Sequence, residues 1–159
     1  MMPYTKSSLA SVLITVFWLG ACAGGPTAPT GLRQIVSTTS FGMCVGYCTT
    51  RLEISEGQAV LVREARGGRG GGDLPEQRIS ETLSDGEWRE IVRLAGATNL
   101  SGLPPVLGCP DCADGGAESL TIIGAGGSRS VAFEHGASLE QAQPLLDRIR
   151  ALRTRMMPE

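Results

Sequence analysis

The chain has 159 residues, 42% of them hydrophobic and 4% aromatic, with 22 Gly, five Cys and a formal net charge of -2. That length holds one domain with its own core, and a charge of -2 supplies no cationic field of the kind that gathers nucleic acid. With 19% of residues charged, the composition is also too apolar for a disordered acidic tail.

Lys6 places a positive charge ahead of residues 9–19, a run that is almost wholly apolar. Its length matches the apolar region of a secretory signal and falls short of the roughly 20 residues that a bilayer span needs. The run ends in small residues, Gly20-Ala21-Cys22-Ala23-Gly24-Gly25. Within it, Leu19-Gly20-Ala21-Cys22 resembles the lipobox of bacterial lipoprotein precursors. The resemblance implies that residues 1–21 are a lipoprotein signal peptide cut between Ala21 and Cys22. It implies too that the Cys22 thiol receives a diacylglyceryl group and that the new amino group is often acylated. Each buried methylene contributes about 0.8 kcal/mol, so two or more chains hold a protein stably at a membrane. In the enterobacterial sorting pattern an Asp after the Cys retains the protein at the inner membrane, so Ala23 implies the outer membrane. The alternative is an ordinary secretory signal that contains a Cys.

Residues 22–31 are rich in Pro and Gly and read as a flexible tether, leaving residues 32–159 as a single domain. From Cys48 the chain alternates, with Leu52 and Ile54 on one face and Arg51, Glu53 and Ser55 on the other. Glu56-Gly57 and the apolar run from Ala59 to Val62 follow, predicting strand, turn and strand. Gly67-Gly68-Arg69-Gly70-Gly71-Gly72 reads as a loop, because no Gly-Lys-Ser/Thr ends the run as a phosphate cradle requires, and an exported protein rarely meets RNA.

Ser84 with Glu87 forms a capping box, and Leu83 can staple onto Trp88, so a helix starts here. Trp88, Ile91, Val92 and Ala95 make its apolar face, and Gly96 or Asn99 ends it. A second hairpin runs through Leu120-Thr121-Ile122-Ile123, a turn at Gly124-Ala125-Gly126-Gly127, and a strand from Ser130 to Glu134. A last helix carries Leu145, Ile149, Leu152 and Met156 on one side, with Arg148, Arg150 and Arg153 largely in solvent. Either Ser138 with Gln141 caps it or Pro144 is its first helical residue. The order ββαββα predicts an α+β domain: a four-stranded, mainly antiparallel sheet with two helices packed on one face.

With Cys22 assigned to lipid, Cys44, Cys48, Cys109 and Cys112 remain, and in an oxidising compartment four thiols imply two disulfides. Three connectivities are open. The close spacing within each pair, with Gly46 and Pro110 as turn residues, favours the local bridges Cys44–Cys48 and Cys109–Cys112 over cross-links. The pattern Cys-x-Gly-x-Cys, with the later Gly-Cys-Pro-Asp-Cys-Ala-Asp-Gly-Gly-Ala-Glu, is similar to small uncharacterised bacterial lipoproteins over residues 40–134. That resemblance implies that the cysteine loops belong to the domain's design, and it carries no activity.

Other chemistries compete for the same residues. Four thiolates at these spacings match a tetrahedral zinc site, although exported thiols are usually oxidised first. Cys109-x-x-Cys112 has the spacing of dithiol oxidoreductases, yet it follows a loop instead of opening a helix, and Asp111 and Asp114 would raise its thiol pKa. Asp111, Asp114 and Glu118 suggest calcium without matching the EF-hand spacing. His135, the only histidine, has no identifiable Ser or Cys partner and reads as the polar end of the fourth strand. Arg148, Arg150, Arg153 and Arg155 give the last helix a basic face that suits anionic headgroups, or more simply water. The expectation is therefore a lipid-anchored, periplasm-facing, non-catalytic domain that uses no cofactor and binds an envelope protein or glycan. The alternative is a membrane-tethered thiol-disulfide protein using Cys109 and Cys112.

Overall fold

The computed structural model describes residues 1, 31–65 and 74–159. The proposed signal peptide beyond Met1, Cys22, all of the tether except Gly31, and the 67–72 glycine run lie outside the described residues. The elements are β1 (Leu32–Ser40), β2 (Tyr47–Ser55), β3 (Gln58–Ala65), β4 (Gln77–Thr82), α1 (Asp85–Ala97), a 3-10 turn (Cys112–Asp114), β5 (Ala117–Gly124), β6 (Gly127–Glu134) and α2 (Gln143–Met156). The strands make one sheet in the order β4-β3-β2-β1-β5-β6, with every neighbouring pair antiparallel.

Over the described residues the chain is thus α+β with an antiparallel sheet and two helices, but the sheet has six strands where four were expected. The two missed strands share a physical cause. Strand β1 places Ser37 and Thr39 at buried positions beside Ile35, so its inward face lacks the apolar alternation that betrays a half-buried strand. At the sheet edge, β4 holds a single apolar residue, Ile79, among polar ones.

The register sorts the inward positions into rows across the sheet. One row runs Ala59, Ile54, Ile35, Ile122, and the next runs Ile79, Leu61, Leu52, Ser37, Leu120, Val131. The third, nearest the β1–β2 loop, runs Gln77, Arg63, Thr50, Thr39, Glu118, Phe133. The apolar members of these rows share one core cluster with Ile91, Leu94 and Ala95 of α1 and Leu145, Leu146, Ile149, Leu152 and Met156 of α2. Each such Leu or Ile fully removed from water contributes roughly 1.5–3 kcal/mol.

Helix α1 begins as its sequence dictates. Ser84 Oγ accepts from the Glu87 backbone N–H, and the Glu87 carboxylate accepts from the Ser84 N–H at 3.1 Å. The helix passes through Gly96 and stops at Ala97, where Thr98 turns the chain and its Oγ1 donates to Leu94 O at 2.9 Å. Helix α2 carries Pro144 in its first turn, so the start at Ser138 is not the one used. Proline fits there because its missing N–H has no partner to lose.

Candidate functional site

Beyond Ser40 the chain turns through a loop closed by the Cys44–Cys48 pair, whose Cα atoms are 5.5 Å apart. Gly46 sits in this loop at φ +90°, a conformation that side-chain-bearing residues rarely adopt. The Cys109–Cys112 pair, with Cα atoms 5.4 Å apart, closes the loop leading into β5. The two loops meet at the same end of the sheet. Gly42 N–H donates to Asp111 Oδ1 at 3.0 Å, and Cys109 N–H donates to Glu134 Oε1 at 3.1 Å.

The four sulfurs therefore fall into two local pairs instead of one tetrahedral cluster. Among the described residues no three His, Cys, Asp or Glu side chains gather closely enough to share a metal ion. Asp111 is engaged with Gly42, while Glu118 faces arginines, so the acidic trio suggested for calcium does not converge. Cys112 opens only a three-residue turn; Asp111 just before it and Ala113 and Asp114 within it have φ of 63°, 51° and 60°. A long helix N-terminus, which lowers thiol pKa in dithiol oxidoreductases, is not what this motif meets.

Beside the Cys44–Cys48 bridge lies a cavity of about 430 Å³. Thr39 and Thr50 line it from the sheet and Arg150 and Arg153 from α2, with Phe41, Tyr47, Cys48, His135 and Met157 also contributing. Its centrepiece is Glu118, only 1% exposed. Arg150 grips that carboxylate with Nη2 at 2.7 Å from Oε2 and Nε at 3.1 Å, and also donates to Ala137 O at 2.8 Å. Arg153, 9% exposed, donates through Nη1 to Glu118 Oε1 at 3.1 Å and through Nη2 to Ser37 Oγ.

Burial pushes the Glu118 carboxyl upward, but the hydrogen bond from Arg150 and the charges of Arg153 and Arg150 outweigh it and hold the group below the ordinary value of 4.5. Burial likewise pulls Arg153 down from its usual range, with Glu118 opposing that pull. Two guanidiniums thus face one carboxylate. Arg153 Nε is buried without a hydrogen-bond partner. Thr39 and Thr50, 6% and 7% exposed, line the same cavity.

This arrangement corrects the expected placement of the α2 arginines in solvent. Arg150 and Arg153 turn toward Glu118, while Arg148 and Arg155 each reach Glu87 at 3.1 Å, and Arg155 also pairs with Glu81. Glu87 is held down to about 2, first by the Ser84 backbone N–H, then by the Ser84 hydroxyl and the two arginines. His135 lies one residue beyond β6, its ring centroid 4.8 Å from that of Phe41 in an edge-to-face contact. Sequence reasoning missed Ser37, Thr39, Thr50 and the Glu118 clamp. The available signal was spacing, since Arg153 directly follows Leu152 and lies four residues after Ile149, next to the apolar stripe of α2.

No protein-family model matches the chain, and no curated protein matches it either.

Proposed function

We propose that the chain is an exported, lipid-anchored binding domain of the bacterial envelope. In this reading Cys22 carries the lipid, Ala23 directs the protein to the outer membrane, and the domain faces the periplasm on its short tether, without catalysing a reaction. Both helices pack on one face of the sheet, so that α2 roofs the cavity and supplies its charges. The observation that carries the reading is the 430 Å³ cavity with its buried Glu118 clamped by Arg150 and Arg153. A cavity of that volume falls in the roughly 300–1,000 Å³ range of small-ligand sites, and it sits at the end of the sheet where both cysteine loops are braced. The partner is an envelope component, protein or glycan, and recognition is by fixed hydrogen-bond donors.

The test is Cys22→Ala together with globomycin treatment and membrane fractionation, followed by crosslinking in intact cells. Unprocessed precursor and loss of the variant from the membrane fraction support the anchor. A variant that stays membrane-bound, or crosslinking that captures nothing beyond the anchor, sinks the reading.

A further inference from the structure

We infer that the cavity beside the Cys44–Cys48 bridge binds the carboxylate of a small monoanion carrying a short apolar group; this rests on the binding-domain reading and names its ligand class. The polar floor is no scatter of surface groups. Thr50, Thr39 and Glu118 are register partners on three adjacent strands, while the next row toward the sheet interior is apolar except for Ser37. Withdrawing three ions from water is costly, and apolar residues of equal volume commonly hold such a space as well or better. What the ions supply is orientation. Glu118 takes Nε and Nη2 of Arg150 and Nη1 of Arg153, and Ser37 takes the other terminal nitrogen of Arg153. Both guanidinium planes are thereby fixed before any ligand arrives, which lowers the ordering cost of binding.

The charge count selects the ligand. Two guanidiniums against one carboxylate leave one positive charge, which matches a monoanion; the second charge of a phosphate dianion would lie against Glu118. With the Nε–Nη2 edge of Arg150 already on Glu118, the buried guanidinium donor of the clamp left without a partner among the described residues is Arg153 Nε, and a hydrogen bond from it to a carboxylate is charge-assisted. Thr39 and Thr50, which line the cavity, supply hydroxyl donors for its oxygens. Phe41, Cys48 and Met157 give the wall its apolar part, beside Tyr47, His135 and Thr154, and suit a few carbons. Such a carboxylate arrives either as a free small acid or as the end of a peptide.

The experiment titrates the full lipidated chain in detergent micelles with N-acetyl-alanyl-alanine, its carboxamide, butyrate and ethyl phosphate, read by calorimetry. Either acid binding at least about tenfold more tightly than the carboxamide and the phosphate is the expected result. Preference for the peptide acid assigns a chain end, and preference for butyrate assigns a free acid. Thr39→Val and Thr50→Val keep side-chain shape, and each weakens the acid about tenfold. They accompany Arg150→Gln, which strips Glu118 of a partner and endangers folding. Equal binding of acid and carboxamide, tighter binding of ethyl phosphate, or wild-type affinity in both Thr variants overturns the assignment. If no probe binds while Cys22-dependent attachment and a crosslinked partner persist, only the ligand class falls. If the acid binds but Cys22→Ala stays membrane-bound, only the anchor falls.

Discussion

Arg153 of α2 donates a hydrogen bond to Ser37 Oγ on the central strand β1, a contact made across 116 residues of sequence. Ser37 is the single polar member of a row that otherwise holds Ile79, Leu61, Leu52, Leu120 and Val131. A larger apolar side chain there would satisfy the core but leave no notch for the guanidinium. The serine therefore couples the placement of α2 to the interior of the sheet.

Ser37→Ala removes the acceptor while Arg153 stays buried. Hydrogen bonds to charged groups contribute roughly 1.5–3 kcal/mol, so urea unfolding should show a loss of that size. A change below about 0.5 kcal/mol, the range of neutral surface substitutions, would mean that Arg153 finds another partner.

Glu118→Ala should cost more, about 3–5 kcal/mol, because it leaves Arg153 buried and Arg150 half-buried without their counter-charge. The same pair predicts an acid limb. The folded carboxyl titrates below its ordinary 4.5, so its contribution is fully present above about that pH and is lost as pH falls through the folded value. Stability measured from pH 7 downward should decline more steeply in the wild type than in Glu118→Gln. Parallel profiles would show that the clamp is not linked to folding.

Gly116, at φ +82°, lies directly beneath Phe41, and a Cβ there would stand 2.5 Å from two of its ring carbons. Gly116→Ala combines a disfavoured backbone with a clash and should destabilise by more than about 1 kcal/mol. It should also shift the His135 ring resonances in proton spectra, since Phe41 meets that ring edge-on. Unaltered His135 signals would show that Phe41 does not move with the new methyl.

The sequence made some of this fold plain and hid the rest for physical reasons. Leu52 and Ile54 alternate with charged neighbours, and Leu120-Thr121-Ile122-Ile123 leads into a glycine turn, so these hairpins announce themselves locally. Ser84 and Glu87 define a helix start because a capping box needs only four consecutive residues. Strand β1 is different, because Ser37 and Thr39 are inward yet polar, and the partner of Ser37 lies on a helix more than a hundred residues away. The clamp was hidden likewise, since nothing near Glu118 in sequence contains Arg150 or Arg153. Local pattern can report a helix's apolar stripe, but it cannot say which flanking arginine has a buried carboxylate opposite.

Glu87 serves both helices, capping Ser84 and receiving Arg148 and Arg155. Its folded pKa of about 2 lies below the ordinary 4.5. Its contribution is therefore intact above roughly pH 4.5 and disappears as pH falls toward 2. Glu87→Gln should keep part of the cap and lose the charge link to α2. Ser84→Ala should cost about 1 kcal/mol as a lost N-cap, and this loss should shrink in high salt less than that of Glu87→Gln, because exposed ion pairs are screened. Identical salt responses of the two variants would dissociate Glu87 from the helix–helix contact.

The cysteine pairs give the last prediction. Asp111 between Cys109 and Cys112 is tied to Gly42 beside the other loop, and the Cys109 N–H is tied to Glu134, so reducing either bridge releases a loop that braces the sheet end. Protein expressed in the periplasm should show the mass loss of four hydrogens, and proteolysis should place the bridges as Cys44–Cys48 and Cys109–Cys112. The potential of both should lie below about -300 mV, where structural disulfides resist glutathione, and insulin should not be reduced. Cys109 and Cys112 are nevertheless exposed, which keeps the thiol-disulfide alternative open to direct test. A potential well above that figure, with insulin turnover abolished by Cys109→Ser, would replace the binding domain with a tethered oxidoreductase. Four free thiols on a zinc-loaded protein would replace both.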